Sequence, residues 1–280
     1  MTDFVFIDSG IGGIPYMTAL MKKQASAKCV YIADAANFPY GEKSHEEVVE
    51  CVTALVKKIC DKLEPEVIVV ACNTMSVNAL DILRTKFPEI KIVGTVPAIK
   101  LASSLSKKRR LGLLATHATC ENPYNIELKN KFAADCTLVN RPDPDLISFI
   151  EHNAFTAGRD QCLKAVKPAV DFFRRQDCDV IILGCTHFLN FTDVFEEACA
   201  PDIKVVDSVD GVVRHALEVH GKMSGVLGAE PLGEGIASNE VRAQGETSPS
   251  LYTTGFTDDS EKKQYETLCE RFGLKFEGLF

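Results

Sequence analysis

VIVVACNTMS, residues 67–76, is a β-branched apolar run that stops at Cys72 and passes at once into Asn73 and Thr74. Apolar residues in unbroken succession, without polar alternation, predict a strand buried on both faces, as in a parallel sheet covered by helices. VIILGCTHF, residues 180–188, repeats the device with Cys185, Thr186 and His187. Five further runs have the same character: FVFID (4–8), CVYIAD (29–34), KIVGTV (91–96), LGLLAT (111–116) and KVVDS (204–208). Amphipathic stretches separate them. In SHEEVVECVTALVKKICDKL (44–63) the apolar residues at 48, 52, 55, 56, 59 and 63 share one helical face, and Ser44 with Glu47 predicts a capping box. The β-α-β-α series predicts an α/β fold of doubly wound parallel sheets.

The pattern occurs twice. VFIDSG and LGLLAT are strands ending in short polar loops, and each is followed later by a strand ending in cysteine, Cys72 or Cys185. Two similar α/β domains are expected, residues 1–96 plus 207–280 and residues 97–206, with the active site in the cleft between them. Residues 222–250, rich in Gly, Ser and Glu, are expected to form a surface loop. LYTTG (251–255) reads as a late strand and SEKKQYETLCERFG (260–273) as a closing helix.

The chain has 280 residues, 46% hydrophobic and 25% charged, which is the composition of a globular protein large enough for two domains. Its net charge of -8 argues against a phosphate-backbone partner, so no nucleic acid is expected. KKRR (107–110) reads as a solvated helix end. No run approaches the ~18 apolar residues of a membrane span, and the first residues carry no basic leader; a cytoplasmic protein without membrane association is expected. Eleven cysteines, an odd number, lie in a long chain without C-x-x-C, so most are expected to be reduced thiols. The close pair Cys185 and His187 lacks the other ligands of a zinc site, and no metal is expected. Cys51, Cys60, Cys136, Cys162, Cys178, Cys199 and Cys269 read as small buried hydrophobes. His45, His117, His152, His215 and His220 read as isolated surface or capping groups.

In open α/β sheets, ligands bind beyond the carboxyl ends of the strands. Asp8, Ser9, Asp34, Cys72, Asn73, Thr74, Thr116, Cys185, Thr186 and His187 all fall there. DSGIGG (8–13) invites comparison with a dinucleotide fingerprint, which keeps a nicotinamide-dependent enzyme as an alternative. Pro15 stands where the third glycine belongs, so Gly10, Gly12 and Gly13 read as a flexible, anion-tolerant turn opening a helix. Asp8 and Ser9 also suit helix capping, and Tyr40-Gly41 suits a turn after Pro39. Cys72 precedes a helix N-terminus, which is expected to lower its pKa from about 8.5. Two cysteines in equivalent half-units, facing one cleft, suit inversion of a carbon centre: one group removes a proton from one face and the other delivers one to the opposite face. A hydrolase using Cys185 with His187 as base is a second reading, although it leaves Cys72 without a role. A non-catalytic amino-acid-binding protein is a third.

DSGIGG (8–13), PYGEKS (39–44), ACNTMS (71–76), VGTVPAIK (93–100) and GCTHF (184–188), in this order over most of the chain, resemble the glutamate racemases of the aspartate/glutamate racemase superfamily. The resemblance implies cofactor-independent interconversion of L- and D-glutamate, supplying D-glutamate for peptidoglycan. It implies that Cys72 and Cys185 are paired acid/base thiols, Asp8 assisting the first and His187 the second. Asp8, Ser9, Tyr40, Gly41, Asn73, Thr74, Thr186 and His187 would hold the substrate, while Glu151 resembles a family acid near the second thiol; Asp34, at the end of the second strand, is a further auxiliary candidate. Thr116 and Thr119 fit a family Thr-x-x-Thr element, after which Asn122-Pro123-Tyr124 departs from the family pattern of a Ser and a slightly later Tyr. No cofactor is implied, and no Lys stands in a strand-end setting suited to a pyridoxal Schiff base. Glutamate is the expected small-molecule partner, and a homodimer the assembly.

Overall fold

The computed structural model describes residues 2–223, 249–256 and 258–280. Apart from its ends, the loop expected over 222–250 lies outside the described residues. The strands are β1 (Thr2–Asp8), β2 (Cys29–Ala33), β3 (Pro65–Val70), β4 (Lys91–Gly94), β5 (Arg110–Ala115), β6 (Thr137–Pro142), β7 (Val180–Leu183), β8 (Lys204–Val206), β9 (Ser250–Thr253) and β10 (Lys275–Leu279). The helices through the first sheet's crossovers are α1 (Ile14–Lys23), α2 (His45–Leu63), α3 (Asn73–Lys86) and α4 (Ile99–Leu105). Then follow α5 (His117–Glu121), α6 (Pro123–Phe132), α7 (Pro144–Asn153), α8 (Arg159–Arg175), α9 (Thr192–Cys199), α10 (Val209–Met223) and α11 (Asp259–Phe272).

The strands form two sheets, ordered β10-β9-β2-β1-β3-β4 and β6-β5-β7-β8, and every pairing is parallel. The order β2-β1-β3-β4 in the first sheet is repeated as β6-β5-β7-β8 in the second, so the two halves share one topology. In each, the chain leaves the central strand to one side and returns on the other, which opens a crevice beyond the carboxyl ends of that pair. Asp8 ends β1 and Cys72 follows β3; Thr116 follows β5 and Cys185 follows β7. The repeated sequence device therefore marks the switch point of each sheet.

Both faces of the first sheet are covered. Phe4, Phe6 and Tyr31 point into one core, Val5, Ile7 and Ile68 into the other. The first of these cores continues through Leu146, Ile150 and Phe188 to Phe173 of α8 and Ile181 of the second sheet, so the two lobes share apolar packing. α2 begins as expected: the Ser44 hydroxyl accepts from the Glu47 amide at 3.2 Å, and the Glu47 carboxylate accepts from the Ser44 amide at 2.8 Å. Cys51 and Cys60, expected to be buried, are only half-buried on the flanks of this helix.

KKRR follows α4 and runs into β5; Lys107 and Lys108 are exposed, as expected of a solvated helix end, while acids anchor the segment. The Asp179 carboxylate accepts from the Lys107 and Lys108 amides at 2.6 and 2.8 Å, and Arg109 pairs with Asp135 at 2.5 Å. Among the described residues, no helix is long and apolar enough to cross a membrane.

Candidate active site

Cys72 is the N-cap residue of α3 and Cys185 caps the 3-10 turn Thr186–Phe191. Both are buried, and both line a single cavity of about 140 Å³ between the sheets' carboxyl ends. That volume suits a metabolite of amino-acid size; clefts for larger ligands run to roughly 300–1,000 Å³. Ser9, Tyr40, Gly41, Asn73 and Thr74 line it from the first lobe, and Thr116, Thr186 and His187 from the second.

Four expected residues stand one bond behind this wall. Asp8 was expected to touch substrate, but it is fully buried and does not line the cavity. Its Oδ2 accepts from the Gly13 amide at 2.7 Å and its carboxylate receives the Thr186 hydroxyl at 3.3 Å, so it supports the first turn and the opposite lobe's wall. Thr119 likewise lies behind Thr116 and Thr74. The three hydroxyls form a cluster across the lobes, with Thr74 to Thr116 at 3.0 Å, Thr116 to Thr119 at 3.0 Å and Thr74 to Thr119 at 3.4 Å. Asp34 accepts from the Tyr40 hydroxyl at 2.5 Å and from Thr254 at 2.7 Å, which fixes the tyrosine on the cavity wall. Glu151, on α7, accepts from His187 Nε2 at 2.7 Å.

The electrostatics differ on the two sides. Burial, and then the nearby Asp8 carboxylate, hold the Cys72 thiol well above its ordinary pKa, against a smaller lowering by the Met75 amide. The helix N-terminus was expected to lower it; desolvation and a neighbouring negative charge outweigh that effect. Burial raises Asp8 to about 6, against the opposing influence of His187 and the Ser9 amide. On the other side His187 Nδ1 lies 3.5 Å from Cys185 Sγ. Burial works against a charged His187, but Cys185 and Glu151 on its two ring nitrogens outweigh it and hold its pKa well above the ordinary value.

The glycine turn is closely packed. A Cβ on Gly10 would meet the Glu151 carboxylate at 2.5 Å, one on Gly12 the His187 amide at 2.6 Å, and one on Gly13 the Ala71 Cβ at 2.8 Å. Close approach requires glycine here, and the turn does receive anionic groups: the Ile11 amide donates to the Glu151 carboxylate at 3.3 Å. The departing segment Asn122-Pro123-Tyr124 serves a local purpose: Asn122 Oδ1 caps α6 by accepting from the Tyr124 amide at 3.0 Å.

Several contributors were missed. His117, at the start of α5, is exposed as expected of a surface group but also lines the cavity, and Ile147 and Ser148 of α7 line it as well. Their spacing on α7, adjacent and one turn before Glu151, was the available signal. Asn73 lines the cavity, and both its amide atoms are buried without a protein partner. Away from the cavity, at the amino ends of β1 and β3, Asp3, Glu66 and His220 bring ligand-type atoms within 4.8 Å of one another.

The fold and site define a two-lobed, all-parallel α/β protein whose small cavity is built on one cysteine from each of two topologically equivalent lobes. The chain belongs to the Asp/Glu/Hydantoin racemase family, whose family model matches residues 15–216. It is 35% identical over 276 residues to the glutamate racemase of Treponema pallidum, covering 99% of this chain and 96% of that protein. The glutamate racemase of Shewanella oneidensis is 36% identical over 219 residues, covering 77% and 78%. Among solved structures, Escherichia coli glutamate racemase in complex with L-glutamate and the activator UDP-MurNAc-ala superimposes with a TM-score of 0.81 at 26% identity, covering 100% of this chain and 98% of that one.

Proposed function

We propose that this chain interconverts L- and D-glutamate without a cofactor, by proton exchange between two thiols, and so supplies D-glutamate for peptidoglycan. The observation that carries this reading is that Cys72 and Cys185, from opposite lobes, line one cavity of amino-acid size. The names of the relatives support glutamate as substrate. The reading divides the chain into residues 1–96 plus 207–280 and residues 97–206, and extends to a homodimer in the cytoplasm, the assembly state being testable by sedimentation velocity.

In this mechanism a thiolate on one face of the α-carbon removes the proton, and the C–H electron pair delocalises into the α-carboxylate. The thiol on the other face then donates its proton to the same carbon. The enantiomer is inverted and the two sulfurs have exchanged protonation states, ready for the reverse reaction. Cys72, held as a thiol beside Asp8, is the proton donor, and Cys185, with His187 Nδ1 3.5 Å from its sulfur, takes the proton from the other face. Asp8 and His187 are the partners of the two sulfurs, and Glu151 fixes His187.

The α-proton of an amino acid is a far weaker acid than a thiol, so charge developing on the substrate must meet preorganised donors. The Asn73 amide, the hydroxyls of Ser9 and Thr74, and the α3 N-terminus supply them, with Tyr40, Gly41, Thr116 and Thr186 shaping the wall. Thr119 acts through Thr74 and Thr116, and Asp34 through Tyr40. Purified protein incubated with each enantiomer in heavy water, without pyridoxal or metal, should lose optical activity as deuterium enters the α-position. Glutamate that binds without gaining deuterium would establish a binding protein instead.

A further inference from the structure

Tyr31 looks like an ordinary core residue: it sits mid-strand in β2, fully buried among the apolar side chains of the first sheet. Its hydroxyl nevertheless reaches the turn after β1. It donates to the Gly10 carbonyl at 2.7 Å and accepts from the Gly13 amide at 3.0 Å. The same Gly13 amide donates to Asp8 Oδ2 at 2.7 Å, and the phenol oxygen lies 3.4 Å from that carboxylate. On its outer side the turn receives Glu151, whose Oε2 accepts both the Ile11 amide at 3.3 Å and His187 Nε2 at 2.7 Å. A single short turn thus touches the auxiliary acid of each sulfur.

We propose that Tyr31 is a positioning residue shared by both halves of the reaction: its hydroxyl pins residues 10–13 so that Asp8 faces Cys72 while Glu151 holds His187 beside Cys185. The inference rests on the two-thiol reading above. Burial, and then the nearby Asp8 charge, push the phenol well above its ordinary range, so it stays a neutral donor throughout. Without the hydroxyl, the Gly10 carbonyl and one branch of the Gly13 amide lose their partner inside an apolar core, where water does not replace it.

Tyr31→Phe removes only that oxygen. A racemase equilibrates mirror images, so its kcat/KM values for the two enantiomers must stay equal, and damage to one side is read instead from primary isotope effects with α-deuterated D- and L-glutamate. Tyr31→Phe should lower kcat about tenfold, as small misplacements of reacting groups do, and enlarge the isotope effect for both enantiomers. Asp8→Asn should enlarge it for one enantiomer only. Unchanged isotope effects, or an increase confined to one enantiomer, would overturn the proposal. Should Tyr31→Phe fail to fold, 3,5-difluorotyrosine at position 31 keeps the ring and the hydroxyl and makes that hydroxyl more acidic. Isotope effects that then match wild type for both enantiomers overturn the inference. If wild type itself exchanges no α-proton, the functional reading fails, whatever Tyr31 does.

Discussion

His187 Nε2 lies 2.7 Å from Glu151 Oε2, with the imidazole 2% and the carboxylate 12% exposed, so the second lobe contains a nearly buried ion pair behind Cys185. Because the folded His187 is held above its ordinary pKa, its stabilising contribution is complete below about 6.5 and is lost as pH rises through the higher folded value. Glu151→Gln should therefore reduce stability by about 1–3 kcal/mol at pH 6, with a smaller deficit in alkaline buffer. Urea titrations at the two pH values measure this; a deficit that grows with pH contradicts the assignment.

Asp8 has the same sign at lower pH. Its carboxyl is raised from 3.8 to about 6 by burial, so the folded protein binds that proton more tightly than the unfolded chain. Native stability then falls as pH climbs from about 4 to about 6, reaching a cost of about 3 kcal/mol at neutral pH. Asp8→Asn removes the ionisation, keeps an acceptor for the Gly13 amide, and should raise the melting temperature at pH 7 while lowering kcat. The acid limb of the wild-type kcat/KM profile should lie near pH 6 and move in the variant. A variant less stable than wild type at pH 7 yet equal to it at pH 4 contradicts the assignment.

Asn73 separates binding from folding. Asn73 is 3% exposed and neither side-chain polar atom has a protein partner, so the unliganded fold gains no side-chain hydrogen bond from it. Asn73→Ala should leave the unliganded melting temperature within about 2 °C and weaken glutamate binding about 10- to 100-fold, the loss expected for a hydrogen bond to a charged group. Calorimetry with glutamate and a thermal melt without it give the two numbers. Undiminished affinity would remove Asn73 from the substrate's contacts.

The sequence exposes most of this arrangement because central parallel strands must be apolar on both faces. β1, β3, β5 and β7 are therefore unbroken runs, and the polar residues that end them announce the site. β6 and β10 were not legible. TLVNRP and KFEGL are edge strands, largely half-buried or exposed, and carry no continuous apolar signal. Asp8, Cys72, Asn73, Thr74, Cys185 and His187 were readable from strand ends. Glu151 entered through family resemblance, since nothing local distinguishes it on α7, and Tyr31 was hidden because its hydroxyl matters only once β2 lies beside β1. The direction of the Cys72 pKa was misread for a related reason. A helix N-terminus is visible in sequence, whereas burial and the approach of Asp8 are tertiary facts.

Gly12 and Gly41 contact the opposite lobe. A Cβ at Gly41 would meet Thr116 Cβ at 2.8 Å and Cγ2 at 2.9 Å, a side chain that has some room to turn. A Cβ at Gly12 would meet the His187 amide at 2.6 Å and the Thr186 carbonyl carbon at 2.8 Å, both backbone atoms of the loop that carries Cys185. Backbone yields less readily than a side chain, so the second lobe must shift as a body. Gly12→Ala should cost about 1–3 kcal/mol of stability through overpacking and lower kcat about 100-fold by moving one sulfur relative to the other. Gly41→Ala should act mainly on KM, through the displaced Thr116 hydroxyl. Equal kcat losses in the two variants would mean that the spacing of the sulfurs is set elsewhere than at the Gly12 contact, because only that glycine abuts the backbone next to Cys185.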